Sequence, residues 1–97
     1  MPKAYVVACY RDISDQDALE RYAELAGPAV KAAGGRILAR GGRVQAFEAG
    51  LNLRTVVIEF DSFELAVDFY NSDAYQHAVS VLGDAAIRDY RIVEGVE

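Results

Sequence analysis

The chain has 97 residues, of which 53% are hydrophobic and 26% are charged, and its formal net charge is −5. This composition predicts one compact domain over residues 1–97 and excludes a long disordered segment. An acidic chain without a basic stripe is a poor partner for nucleic acid, because phosphate neutralisation supplies most of that affinity. No apolar run approaches the roughly 20 residues that span a bilayer, and no signal segment precedes the first strand pattern. We therefore expect a cytoplasmic protein that binds neither nucleic acid nor membrane.

The first predicted element is a strand over the apolar run Ala4–Tyr10, which is rich in β-branched and aromatic residues. Such a continuous run is typical of a central strand that is buried on both faces. The single cysteine, Cys9, lies in this run and has no second cysteine with which to form an internal disulfide. We therefore expect a buried, inert thiol.

A helix is predicted next, because apolar residues recur at helical spacing over residues 19–33. Pro28 lies inside this stripe, where it removes one backbone hydrogen bond, and the stripe continues in phase beyond it. We expect a kink at this point and a continuing helix. The pair Gly34-Gly35 follows the last apolar position and supplies the left-handed residue that commonly ends a helix.

A second pair of glycines, Gly41-Gly42, separates two strand-like runs, Arg36–Arg40 and Arg43–Glu48. A two-residue Gly-Gly loop favours a type I′ hairpin, and the alternative is a glycine bulge that bends one long strand. In the hairpin, Arg36 and Arg40 lie on the same face of the sheet, because successive strand residues alternate between faces.

The rest of the chain predicts a strand, two short helices and a final strand. Residues 54–61 alternate clearly, with Val56, Ile58 and Phe60 on one face. Ser62 and Ser72 are predicted to cap the two helices. The last strand runs from about residue 88 to residue 94.

This order of elements predicts an α+β fold, a ferredoxin-like antiparallel sheet with its helices on one face. The helices can cover only one side of such a sheet, so the other apolar side predicts a homodimer closed face to face. The expected core between the sheet and the helices contains Leu19, Val30, Val56, Ile58, Phe60, Phe69, Val79 and Leu82.

Two sequence patterns occur together in this chain. One is a pair of Gly-Gly steps flanked by arginines, and the other is the pattern aromatic-Tyr-x-Ser-x-x-Tyr. In chain order, the blocks are Arg21-Tyr22, Gly27-Pro28-Ala29-Val30, residues 34–42, Val57-Ile58-Glu59-Phe60, Phe69-Tyr70-Asn71-Ser72 with Tyr75-Gln76, and Val93-Glu94-Gly95. With these blocks the chain resembles the domain-of-unknown-function 1330 family over nearly its whole length. The resemblance implies the dimeric α+β barrel superfamily, whose relatives include cofactor-free monooxygenases, small-ring isomerases and some haem proteins. It implies no catalytic residue, because the family has no assigned activity.

The candidate site residues are charged, aromatic or hydroxyl-bearing side chains near the middle strands. Arg40 is the candidate anion clamp, because a planar guanidinium grips a carboxylate through two parallel hydrogen bonds. Glu59 is the candidate base, because apolar neighbours would desolvate its carboxyl and raise its pKa. The residues expected to form walls and to donate hydroxyl hydrogen bonds are Tyr22, Tyr70, Ser72 and Tyr75.

Each of these assignments has a structural alternative. Arg40 can pair with a carboxylate of a dimer mate, and Glu59 can form an ion pair with an arginine. The tyrosines can serve core packing, and Ser72 can serve as a helix cap. His77, the single histidine, is more often a solvated helix residue than a haem or metal ligand.

No motif for a catalytic triad, a metal site, a phosphate loop or a dinucleotide is present, so we expect no metal and no cofactor. Two classes of function remain open. The first is a small-molecule-binding protein, or a cofactor-free enzyme, that acts on a small acidic or enolic compound. The second is a non-catalytic dimeric module for structure or interaction.

Overall fold

Across residues 2–97, which a computed structural model describes, the chain forms a four-stranded antiparallel sheet with three helices on one face. The elements are β1 (Ala4–Ile13), α1 (Gln16–Ala32), β2 (Arg36–Arg40), β3 (Thr55–Phe60), α2 (Phe63–Tyr70), α3 (Asp73–Leu82) and β4 (Ala86–Glu94). The strands lie in the order β2-β3-β1-β4. The predicted α+β, ferredoxin-like fold is confirmed.

The helices cover one face of the sheet, which we call the inner face, and leave the outer face open. On β1, Val6 and Ala8 point inward and are buried, whereas Val7 is half-buried and Cys9 is exposed. Within the single chain, β1 is therefore buried on one face only and the Cys9 thiol is not buried, which differs from both predictions. Side chains alternate along a strand, so a sheet covered on one side buries every second residue.

The predicted core is found between the inner face and the helices. Ile58 and Phe60 on β3 are buried, and Val56 is half-buried at the edge of the same cluster. Val79 is likewise half-buried. The remaining predicted core residues, Leu19, Val30, Phe69 and Leu82, are buried. Each such side chain contributes roughly 1.5 to 3 kcal/mol when it leaves water.

The helix boundaries follow from local hydrogen bonds. α1 continues through Pro28 to Ala32, and Gly34 follows it with a left-handed φ of 82°, as the sequence predicts. The hydroxyl oxygen of Ser62 accepts a hydrogen bond from a backbone N–H of α2 at 3.1 Å, and Ser72 does the same for α3 at 3.2 Å. Both predicted caps are confirmed, and each stabilises its helix by about 1 kcal/mol.

The predicted hairpin at Gly41-Gly42 is wrong, and so is the alternative of a glycine bulge there. β2 ends at Arg40, residues 41–54 form no strand, and β2 pairs directly with β3. Gly41 takes a left-handed φ of 72°, and a left-handed residue at this point turns the chain out of the sheet. The irregularity in the ladder lies earlier, between Ile37 and Ala39, so Leu38 is the extra residue of a β-bulge.

The outer face of the sheet carries an ion-pair cluster and exposed apolar side chains. Nε of Arg36 donates to Oε1 of Glu59 at 2.7 Å, and Nη2 of Arg36 donates to Oδ1 of Asp61 at 2.9 Å. On β4, Ile87 and Val93 are both more than half exposed. No helix in the described part of the chain is long and apolar enough to cross a membrane.

Candidate functional site

A cavity opens between the inner face of the sheet and α1. Its floor includes Ala8 and Val56, and its α1 side includes Ala23, Ala26 and Gly27. These small side chains on facing elements leave the space unfilled. The enclosed part of the cavity has a volume of about 40 Å³, and the space including its open mouth is about 460 Å³. The enclosed part is therefore small, and a ligand larger than a few water-sized groups would extend into the mouth.

Three arginines line this cavity, namely Arg40, Arg54 and Arg88. The ion pairs found in residues 2–97 use Lys3, Arg36 and Arg91 as cations, so none of the three cavity arginines is paired with a carboxylate. The lining contains no aspartate or glutamate. The cavity is therefore positively charged without an internal counter-ion.

The sheet register places these arginines in two rows across the strands. In one row, Arg54, Tyr10 and Arg88 are neighbours, because the Tyr10 N–H donates to the Arg54 carbonyl at 3.0 Å and Tyr10 lies opposite Arg88. The Arg54 and Arg88 guanidinium carbons lie 5.9 Å and 5.8 Å from the centre of the Tyr10 ring. The adjacent row runs through Arg40, Val56, Ala8 and Tyr90.

Arg40 reaches the inner face because of the bulge at Leu38, and its side chain extends toward α1. Its Nη1 atom lies 3.6 Å from the point where a Cβ on Gly27 would stand. Arg40 itself is exposed, so it lies where the cavity opens to solvent.

Arg88 stands at the centre of a hydrogen-bonded group with two tyrosines. Its Nη1 donates to the hydroxyl of Tyr22 at 3.0 Å and to the hydroxyl of Tyr75 at 3.2 Å, and the two hydroxyl oxygens are 2.6 Å apart. Both tyrosines are buried. One hydroxyl donates to the other, which leaves one O–H proton for a ligand.

The protonation states of this group follow from its burial. Desolvation raises the pKa of the Tyr22 hydroxyl far above its ordinary value of 10.0, with a further contribution from nearby Tyr75. Desolvation also raises the pKa of the hydroxyls of Tyr75 and Tyr90. Burial lowers the pKa of Arg88, but Tyr22, Tyr75 and Tyr10 together raise it by more. At neutral pH the tyrosines are neutral donors and Arg88 is a cation.

Two buried polar atoms in the cavity have no hydrogen-bond partner, Nε of Arg54 and the hydroxyl oxygen of Tyr90. An unsatisfied buried donor costs about 1 to 3 kcal/mol. Both atoms can donate, so an acceptor that enters the cavity would recover this free energy.

The structure brings together three of the predicted site residues, Arg40, Tyr22 and Tyr75, at this cavity. Tyr70 does not line it, and its ring packs against the rings of Tyr75 and Tyr90 with centroids 5.6 Å and 5.0 Å away. The Ser72 hydroxyl caps α3 and donates to the carbonyl of Phe69 at 2.7 Å, which is the structural role considered above.

Glu59 lies on the outer face, on the opposite side of the sheet from the cavity. It forms the ion pair with Arg36 that was its structural alternative, and Tyr5 donates to its Oε2 at 3.2 Å. The hydrogen bond from Arg36 outweighs burial and lowers the pKa of the Glu59 carboxyl below its ordinary value. The expectation of a raised pKa is therefore wrong, and Glu59 is not within reach of a ligand held by Arg40.

Sequence reasoning missed the four other charged or aromatic residues of the cavity, Tyr10, Arg54, Arg88 and Tyr90. The alternation of the last strand predicts two of them, because Arg88 and Tyr90 lie four and two positions before Ile92 and therefore on the same inner face. A charged residue at an inward position of a strand is costly unless it is paired or used. That signal marks Arg88.

The chemistry of the cavity is dominated by hydrogen-bond donors. Its lining offers guanidinium N–H and tyrosine O–H groups, and it contains no histidine, cysteine or carboxylate. No group of three side chains that could hold a metal ion occurs among residues 2–97. Such a lining can bind an anion and can stabilise negative charge that develops on a bound molecule.

Comparison with solved structures identifies the fold. A protein of unknown function from Rhodopseudomonas palustris is 18% identical, with a TM-score of 0.69 over 96% of this chain and 80% of that chain. A candidate antibiotic biosynthesis monooxygenase from Caulobacter crescentus CB15 is 14% identical, with a TM-score of 0.63 over 99% and 92%. SnoaB, a cofactor-independent oxygenase from Streptomyces nogalater, is 6% identical, with a TM-score of 0.54 over 100% and 96%. At these identities the likeness shows the fold alone, which is that of the dimeric α+β barrel proteins.

Comparison of the sequence gives a narrower result. No curated protein matches this chain significantly. A family profile described as "Domain of unknown function (DUF1330)" matches residues 3–96, which is nearly the whole chain. The chain therefore belongs to the DUF1330 family.

Proposed function

We propose that this protein binds a small acidic or enolic compound as its anion in the cavity and acts on it as a cofactor-free enzyme. The observation that carries the proposal is the set of three arginines, Arg40, Arg54 and Arg88, that line one cavity without a carboxylate partner. Unpaired guanidinium groups beside apolar walls favour a ligand that brings the missing negative charge.

The catalytic part of the proposal concerns the acidity of the bound compound. Cationic and neutral donors around an oxygen atom stabilise its anion, so they lower the pKa of a bound acid or enol. The cavity lining holds no general base, so the released proton would leave to water through the mouth near Arg40. The fold is similar to that of SnoaB, a cofactor-independent oxygenase, which supports a reaction that needs no cofactor.

Binding is tested by calorimetric titration with three short acids, pentanoate, levulinate and glutarate. Each acid is compared with its uncharged methyl ester, which for glutarate is the dimethyl ester. The esters keep the apolar body but lack the charge, so we expect each acid to bind at least about tenfold more tightly. Arg40→Gln and Arg54→Gln should lower the affinity for the acids by about the same factor. Arg91→Gln is the control, because Arg91 lies on the outer face of β4 and pairs with Asp89.

Acid affinities no better than those of the esters would contradict the anion site. The catalytic part is tested separately with para-nitrophenol, whose anion is coloured. We expect its pKa to fall by about 1 unit or more on binding, since 1 unit corresponds to about 1.4 kcal/mol of differential stabilisation. An unchanged pKa of the bound phenol would favour the non-catalytic module.

The outer face of the sheet supports the second part of the proposal, a homodimer. Val7 and Val57 are paired on this face and stay half-buried, and Cys9 beside them is exposed. A second copy placed face to face would cover these side chains, which the helices of the same chain cannot reach. The fold class of the solved neighbours supports this assembly.

A further inference from the structure

The donors of the cavity are divided between two ends of its floor. Arg40 and Arg54 stand at the end near β2 and β3, which we call the β3 end. Arg88 and Tyr90 stand on β4, at what we call the β4 end. Between the two ends lies β1, where Ala8 forms an apolar part of the floor.

The two ends lie on opposite sides of β1. β3 and β4 flank β1 on opposite sides, so their backbones are about 10 Å apart at the usual strand spacing. The Tyr10 ring rises between them, with Arg54 on one side and Arg88 on the other, each guanidinium carbon nearly 6 Å from the ring centre (5.9 Å and 5.8 Å). Arg54 and Arg88 therefore belong to strands on opposite sides of Tyr10.

Each end also holds one of the two unsatisfied buried donors. Nε of Arg54 is at the β3 end, and the hydroxyl of Tyr90 is at the β4 end. A molecule with one oxygen-bearing group would satisfy one donor and leave the other without a partner. The cost of an unsatisfied buried group thus favours a ligand with an acceptor oxygen at each end.

We propose that the ligand is a short carboxylic acid with a second acceptor oxygen, a carbonyl or a second carboxylate, at its far end. The carboxylate lies at the β3 end, where Arg40 and Arg54 both line the cavity and where exposed Arg40 keeps the site close to water. The second oxygen lies at the β4 end, where it accepts from the Tyr90 hydroxyl and from the spare O–H of the Tyr22 and Tyr75 pair. This inference rests on the proposed anion site and narrows the class of compound that it takes.

The test compares three acids of equal chain length on the unaltered protein by calorimetric titration. Pentanoate has a plain methyl end, levulinate has a carbonyl near that end, and glutarate has a second carboxylate. We expect levulinate and glutarate to bind roughly three- to tenfold more tightly than pentanoate, because each makes at least one further hydrogen bond.

Two substitutions test which group of the ligand lies at which end of the cavity. Tyr90→Phe should remove most of the advantage of levulinate and glutarate and should leave the affinity for pentanoate within about twofold. Tyr70→Phe is the matched control, because Tyr70 packs against Tyr90 but does not line the cavity. Arg54→Gln should weaken all three acids by a similar factor, since each places its carboxylate at the β3 end.

The outcomes separate this inference from the proposed function. If pentanoate binds as tightly as the other two acids, or if Tyr90→Phe weakens pentanoate equally, the two-ended ligand is wrong while the anion site stands. If none of the three acids binds better than its methyl ester, the anion site is wrong and the inference fails with it.

Discussion

Arg36 and Arg40 lie on opposite faces of β2, although residues four positions apart share a face in a regular strand. Arg36 lies opposite Glu59 and pairs with it on the outer face, whereas Arg40 lies opposite Val56 and lines the cavity. The extra residue at Leu38 produces this division. One short strand thereby supplies a structural ion pair on one side and a cation that lines the cavity on the other.

The bulge predicts opposite results for a deletion and an insertion in β2. Deleting Leu38 removes the extra residue and leaves a regular strand with Arg40 still on the inner face, so we expect acid affinity to stay within about threefold. Inserting an alanine between Ala39 and Arg40 turns Arg40 to the outer face and should weaken acid binding about as much as Arg40→Gln. Calorimetric titration measures both, with circular dichroism as the check of folding. A deletion as damaging as the insertion would contradict the bulge.

The fold could be predicted where one local rule decides the structure. The alternation of Val56, Ile58 and Phe60 places β3 correctly, and the hydroxyls of Ser62 and Ser72 identify two helix starts. These features depend only on neighbours in the chain. The failure at β2 has the opposite cause, because a bulge exists only relative to the partner strand and leaves no mark on the alternation of five residues.

The site could be predicted in part for the same reason. Tyr22 and Tyr75 follow from helix stripes, and each points inward as its stripe requires. The partner of Glu59 is Arg36 because β2 pairs with β3. The hairpin interpretation instead pairs β2 with residues 43–48. The inward position of Arg88 follows from the alternation of β4 alone, so the sequence is sufficient to predict it.

The hydroxyl pair of Tyr22 and Tyr75 should show energetic coupling. Removing either hydroxyl breaks a buried hydrogen bond of 2.6 Å and takes one acceptor from Arg88. We expect Tyr22→Phe and Tyr75→Phe each to lower the free energy of unfolding by about 1 to 2 kcal/mol. The double variant should lose less than the sum, with a coupling of about 1 kcal/mol.

Urea denaturation of the two single variants and the double variant measures this coupling. Tyr70→Phe is the control, because the Tyr70 hydroxyl makes no hydrogen bond to the rest of residues 2–97 and its loss should change stability little. Losses that simply add would show that the two hydroxyls act independently.

The same tyrosines predict how stability depends on alkaline pH. Burial raises the pKa of the hydroxyls of Tyr22, Tyr75 and Tyr90 in the folded protein above the ordinary value of 10.0 that applies when the chain is unfolded. Above pH 10.0 the unfolded chain therefore holds fewer protons than the folded one, and the free energy of unfolding falls as pH rises. The contribution is fully present below that pH, and each tyrosine can remove up to about 1.4 kcal/mol per pH unit above it.

Denaturation midpoints measured from neutral to strongly alkaline pH test this dependence. Tyr90→Phe removes one titrating hydroxyl that has no hydrogen-bond partner, so it should make the alkaline loss shallower without a large cost at neutral pH. A profile as steep as that of the unaltered protein would show that Tyr90 ionises equally in both states.

The outer face predicts the assembly of the protein. We expect light scattering at micromolar concentration to give twice the mass of one chain, because stable interfaces bury about 1,200 to 2,000 Å² and the open sheet offers half-buried apolar pairs such as Val7 and Val57. Val57→Lys places a charge in the middle of that face and should yield a folded monomer. The reactivity of Cys9 toward Ellman's reagent should rise with it, since the thiol lies on the same face.

A matched substitution on the helix side decides which surface closes the dimer. Leu65 on α2 is 45% exposed, so Leu65→Lys adds the same charge to the opposite side of the molecule and should leave the dimer intact. If Leu65→Lys dissociates the dimer and Val57→Lys does not, the contact runs through the helices and the sheet face stays open to another partner. A monomeric mass for the unaltered protein would contradict the homodimer altogether, and the apolar side chains of the outer face would then require a partner other than this chain.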